Sequence, residues 1–155
     1  LRPPVSNLRL LFIGDGSERA SLEALSEELG LTESVKFMGA SDDVSRWLGV
    51  MDIFCLSSLS EGTSIALLEA AAHGLPAVVT DVGGNGEIVQ DGVTGVVTPS
   101  GDLEAFVSAL VRMCSDPELR KQMGMKARQH VLDVYSASVM AEAYSSIYAR
   151  VLNRR

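Results

Sequence analysis

The sequence predicts an α/β domain in which a parallel sheet is covered by helices on both faces, followed by a helical C-terminal segment. Three observations carry this. Short apolar runs closed by glycine or proline alternate with segments of helical periodicity. The runs are apolar throughout rather than alternating, as strands buried on both faces are. After Pro99 the strand-like runs stop and only helical patterns follow.

The elements follow in order. LRLLFIG (8–14) is a strand, and 17–29 is a helix in which Leu22, Leu25 and Leu29 recur at helical spacing. VKFMG (35–39) is a second strand and a short helix lies near 42–50. DIFCLSS (52–58) is a third strand, and SEGTSIALLEAAAHGLP (60–76) carries a helix. PAVVT (76–80) is a fourth strand, a glycine-rich loop follows, and TGVVTP (94–99) is a fifth. DLEAFVSALVRMCSD reads as a helix, and PELRKQMGMKARQHVLDVY as another with proline in its first turn. A terminal amphipathic helix runs through Tyr144, Ile147, Tyr148 and Val151. No linker or low-complexity segment divides the chain, so residues 1–155 are expected to form a single domain.

Composition excludes several classes. A net charge of -7 argues against a nucleic-acid backbone or an anionic membrane face as partner. The two cysteines, Cys55 and Cys114, are too few for a disulfide framework and read as reduced, cytoplasmic thiols. No uncharged apolar run approaches the roughly 18–20 residues of a membrane span, and no signal-like segment opens the chain. The chain therefore reads as soluble and unprocessed.

In parallel sheets of this kind ligands bind beyond the carboxyl ends of the strands. The first such loop, GDGSER, has Gly14 and Gly16 but lacks the third glycine of a dinucleotide fingerprint. The second offers Met38, Gly39 and exposed backbone. The third is the informative one. Gly62 permits close approach of a ligand to the backbone, and Thr63 or Ser64 can cap the following helix, leaving free amides at its start. Those amides and the helix dipole make an anion site that needs no lysine.

On a helical wheel Gly62, Ile65, Glu69 and His73 fall on one stripe running down from that site. The neighbours Ile65, Ala66, Leu67, Leu68, Ala70, Ala71 and Ala72 are apolar almost all the way round, so Glu69 is expected to be buried against a partner it binds. Beside an anion, that partner would be a weakly charged donor such as a sugar hydroxyl. Glu61 has the same hydroxyl-binding chemistry. The competing reading makes Glu69 a solvated residue with His73 one turn away.

These residues resemble a known family. SLSEGTSIALLEAAAHGLPAVVTDVGG, preceded by LLFIGDG, VKFMG and DIFCLSS and followed by EIVQDGVTGVVTPSGD, is similar to the C-terminal, donor-binding domain of the family-four retaining glycosyltransferases of GT-B architecture. The resemblance covers essentially the whole chain and centres on two glutamates with seven residues between them, Glu61 and Glu69. It implies a Rossmann-like sheet and a nucleotide-diphosphate sugar as donor. It places Glu69 on the ribose hydroxyls and Glu61 on sugar hydroxyls near the reacting centre. Gly62, Thr63, Ser64 and Ile65 would hold the diphosphate through their amides. Met38 and Gly39 would lie along the base, with Gly14 nearby, and Gly83 and Gly84 would line the cleft. Transfer would proceed with retention and without a metal.

The resemblance also implies an upstream strand-helix unit with a basic pair and an acceptor-binding domain, neither of which lies in these residues. The chain alone is then expected to bind donor weakly and transfer nothing. Peripheral membrane association of the full-length protein stays open, since many family members glycosylate lipids. Arg19, Lys36 and Arg46 do not match the basic pair and read as surface charges. Asn85-Gly86 departs from the residue-proline pair more usual before Glu87. In the expected strand order the absent strand lies between LRLLFIG and DIFCLSS, so these two should close together or have the gap filled by another segment or chain.

Alternatives remain at this stage. A nucleotide-sugar epimerase on the same architecture and a noncatalytic nucleotide-sugar-binding or assembly module are both compatible with the pattern. A phosphorylase-like relative is disfavoured, because none of Lys36, Lys121 and Lys126 follows a suitable cleft motif. His73, His130, Trp47 and the six methionines read as packing or surface residues.

Overall fold

The computed structural model describes residues 7–153 and divides into two compact units, one ending at Gly49 and one beginning at Val50. In the first unit, β1 (Leu10–Ile13) pairs in parallel with β2 (Val35–Gly39) across α1 (Arg19–Glu28), and α2 (Val44–Leu48) follows. Asp43 caps α2, its Oδ1 accepting from the Arg46 amide at 3.1 Å. Phe12 and Phe37 stack across the two strands with centroids 4.9 Å apart. The leucines of α1 keep their helical spacing, but Leu22, Leu25 and Leu29 are exposed and only Ser26 of that helix is buried.

In the second unit, β3 (Phe54–Leu56), β4 (Ala77–Thr80) and β5 (Gly95–Thr98) form a parallel sheet in the order β3-β4-β5. The helices are α3 (Ile65–Ala72), α4 (Asn85–Ile88), α5 (Leu103–Ser115), α6 (Pro117–Tyr135) and α7 (Ala137–Leu152). Strand β4 is buried along its whole length. Ala77 and Val79 point into a cluster with Leu67 and Ala71 of α3, Ile88 and Val89, and Ala127 and Val131 of α6. Val78 points the other way, towards Ala109 and Met113 of α5 and Met123 of α6. Two-sided burial is the reason PAVVT shows no polar alternation. Arg120 ties α6 to the end of α5, donating from Nη1 to the carbonyls of Met113 at 2.8 Å and Cys114 at 2.9 Å. The outer edge of β5 is guarded by Asp91, whose Oδ1 accepts from the Val97 amide at 2.9 Å.

The named strands all pair in parallel and the C-terminal segment is helical, as expected. Two expectations need correction. The sheet is not continuous: β1 pairs only with β2, and β3 only with β4, among the described residues. The glycine-rich loop contains a short helix, α4, because the Gly84 carbonyl accepts from Ile88 at 3.2 Å and that of Asn85 from Val89 at 2.9 Å. Helix α7 buries none of its residues, and Tyr144, Ile147, Tyr148 and Val151 are exposed. Among the described residues no helix is long and apolar enough to cross a membrane.

Candidate functional site

The residues singled out by sequence fall into two groups, one in each unit. In the first unit Gly14 and Gly39 meet directly, the Gly14 amide donating to the Gly39 carbonyl at 2.8 Å beyond the ends of β1 and β2. Met38 precedes Gly39 and is partly open to solvent. Arg19 lies beside this turn and is engaged by its neighbours, with Glu23 at 2.8 Å and Asp15 at 3.5 Å. Those two acids and the hydrogen bond to Glu23 in particular raise its pKa, so the group stays cationic. Lys36 donates to the Thr32 carbonyl at 3.1 Å, and Arg46 lies 5.9 Å from the centre of the Trp47 ring. None of the three is a bare cation awaiting a phosphate.

In the second unit the loop after β3 and the loop after β4 are locked to each other. The Gly84 amide donates to the Gly62 carbonyl at 2.9 Å. A β-carbon at Gly83 would overlap the carbonyl of Glu61, and Gly83 has a φ of +54°. Both features demand glycine there. Gly83 and Gly84 therefore support the backbone of Glu61 and Gly62 at close range.

Helix α3 starts at this junction. Of the two candidate caps Ser64 is the one used, its Oγ accepting from the Leu67 amide at 3.3 Å, and Ser64 is buried. The first helical bond runs from Leu68 to the Ser64 carbonyl at 3.2 Å, so the amides of Ile65 and Ala66 have no carbonyl one turn back to satisfy them. Gly62, Thr63 and Ile65 are exposed at this tip. The amides are thus oriented for an anion and accessible to one.

Glu69 and His73 continue the same stripe, and both are exposed. The expectation that Glu69 is buried against a partner is therefore overturned. Leu67, Ala70 and Ala71 take the packing against β4 and α6, and the opposite side of α3 is open. Alanine is small enough for either side, so an alanine-rich helix looks apolar all round while only one face is covered. What survives is the stripe itself: anion-binding tip, Ile65, Glu69 and His73 on one accessible surface.

Glu61 is held differently. It is half-buried, and its Oε1 accepts from the Ser58 hydroxyl at 2.7 Å. Ser58 is held in turn by Thr80, and Thr80 by Asn85, and none of the three was singled out for that role from the sequence. Serine three residues before an acid is too common a pair to signal it. A shallow groove of about 320 Å³ between β5 and α5, lined by Val96, Thr98, Ser108 and Arg112 among others, includes neither glutamate. Among the described residues no three His, Cys, Asp or Glu side chains converge as metal ligands would.

The second unit thus joins a parallel α/β fold to an amide-rich helix tip with one exposed carboxylate, Glu69, further along the same helix. The chain belongs to the glycosyl transferases group 1 family, whose sequence model matches residues 1–130. Family and fold are thus as the resemblance implied, with GT-B glycosyltransferases as the structural neighbours. It is 34% identical to N-acetyl-alpha-D-glucosaminyl L-malate synthase of Bacillus anthracis over 144 residues, which cover 93% of this chain and 38% of that protein. Its structure matches sucrose-phosphate synthase from Thermosynechococcus elongatus with a TM-score of 0.84 at 25% identity, covering 95% of this chain and 39% of the other. It also matches Anabaena HepE, solved in complex with UDP, with a TM-score of 0.82 at 21% identity, covering 94% and 42%. The chain spans about two fifths of the length of the Bacillus anthracis synthase and of the putative glycosyltransferase EpsD of Bacillus subtilis, 38% and 39% respectively.

Proposed function

We propose that this chain is the donor-binding part of a retaining glycosyltransferase that moves a sugar from a nucleotide-diphosphate sugar to an acceptor hydroxyl. The observation that carries the reading is the open stripe from the amide-rich helix tip to the exposed carboxylate of Glu69, with the Ser58-bound carboxylate of Glu61 on the loop that enters the same helix. Family membership supplies the reaction class.

In this reading the diphosphate sits at the tip formed by Gly62, Thr63, Ser64 and Ile65, Glu69 accepts from the ribose hydroxyls, and Glu61 accepts from hydroxyls of the transferred sugar. As the bond between sugar and diphosphate breaks, negative charge grows on the leaving phosphate, and amides already aimed at it stabilise the transition state more than the ground state. The acceptor hydroxyl attacks from the face the leaving group vacates, and its proton passes to the oxygen of the departing diphosphate. No metal ion is given a role, and neither glutamate acts as covalent nucleophile. The acceptor is bound by a part of the protein outside these residues, so the chain alone is expected to bind donor without turnover.

Calorimetric titration with UDP, ADP and GDP and their glucose conjugates tests this, UDP first because the Anabaena neighbour was solved with it. Binding of one nucleotide series, lost in Glu69→Ala, is the expected result. A mutant that binds as well as the parent overturns the ribose role.

A further inference from the structure

Glu61 is the more constrained of the two acids, and the constraint runs into the sheet. Its Oε1 accepts from the Ser58 hydroxyl at 2.7 Å. The Ser58 carbonyl in turn accepts from Thr80 Oγ1 at 2.6 Å, and Thr80, at the end of β4, is only 6% exposed. The Thr80 carbonyl accepts from Asn85 Nδ2 at 3.1 Å, and Asn85 is fully buried. On the other side Gly83 lies against the Glu61 carbonyl, and the Gly84 amide holds Gly62 at 2.9 Å. Side chain and main chain of Glu61 are thus fixed from opposite directions, by residues anchored on β4 and α4.

An exposed glutamate explores several rotamers, and ordering one costs entropy when a ligand binds. A hydroxyl donating to one carboxylate oxygen fixes the rotamer beforehand and leaves the second oxygen to accept from a ligand. We propose that Ser58 is a positioning residue for Glu61, setting its carboxylate for the transferred sugar, and that Thr80 acts through it by holding the Ser58 backbone. The proposal rests on the reading of Glu61 as the sugar contact. It predicts an effect confined to the sugar, because the diphosphate and nucleoside are held by other groups.

The test is calorimetric titration of this chain with UDP, UDP-glucose and UDP-N-acetylglucosamine, in the parent, Ser58→Ala, Ser58→Thr and Thr80→Val, with melting temperatures recorded alongside. The expected result is that Ser58→Ala binds UDP within about twofold of the parent and melts at nearly the same temperature, yet loses about tenfold in affinity for the preferred UDP-sugar. Ser58→Thr restores it, and Thr80→Val shows the same sugar-specific loss with Ser58 intact. Full sugar preference in Ser58→Ala overturns the proposal. So does a fall of UDP and UDP-sugar affinities together in step with the melting temperature, which is the mark of a merely structural role. A parent chain that binds UDP but gains nothing from the sugar also overturns it; a parent that binds none of the UDP ligands is titrated with ADP, GDP and their glucose conjugates in the same variants, and binding of no series fails the donor-binding reading itself.

Discussion

The amide of Gly84 donates to the carbonyl of Gly62 at 2.9 Å, so two loops 22 residues apart in sequence are locked at the point where α3 begins. Each loop is supported by the other, and the candidate site depends on their contact.

Replacing Gly83 by alanine puts a β-carbon into the Glu61 carbonyl and strains a backbone with φ of +54°. Urea denaturation should show a loss of about 1–3 kcal/mol, with donor binding lost as well. Gly62→Ala meets open space, so its stability should change little while nucleotide affinity falls.

Glu69 is exposed, and its removal should barely affect folding. Glu69→Ala is expected to stay within about 0.5 kcal/mol of the parent in chemical denaturation. The same variant should lose about tenfold or more in nucleoside-diphosphate affinity. A variant equally impaired in both measurements would make Glu69 a structural residue.

At the crossing of α3 and α6, a β-carbon on Gly124 would overlap the Gly74 carbonyl. Gly124→Ala must push the helices apart although alanine is the better helix former. A net destabilisation of about 1–3 kcal/mol by denaturant titration is expected.

Arg120 donates to two carbonyls at the C-terminal end of α5, where the helix leaves its acceptors unpaired. Arg120→Ala should cost about 1–3 kcal/mol, and amide exchange in the last turn of α5 should quicken relative to its middle.

The Tyr135 hydroxyl donates to the Glu87 carbonyl at 3.1 Å, and burial, with the Glu87 charge adding to it, raises its pKa above the usual value near 10. The folded state therefore favours the neutral phenol. Its contribution is fully present below pH of about 10 and is lost as pH rises through the folded pKa. The stability gap between the parent and Tyr135→Phe should shrink over that range, read by denaturation at stepped alkaline pH.

The order of the five strands and of every helix but α4, a cap at Thr63 or Ser64 and the stripe through Gly62, Ile65, Glu69 and His73 were determined by the sequence alone. Each depends on residues within a turn or two of one another, where apolar period, capping chemistry and helical geometry act locally. The spacing of Glu61 and Glu69, with seven residues between them, belongs with these, because it lies on one loop and the helix it enters.

Tertiary structure decided which side of that helix is covered, and so that Glu69 is open while Leu67 and Ala70 are sealed. It also decided the division of the sheet, the contact of Gly83 with Glu61, and the tie from Asn85 through Thr80 and Ser58. These join segments far apart in the chain. Alanine, glycine, serine and threonine fit many surroundings, and only the packed neighbour determines which one each of them meets.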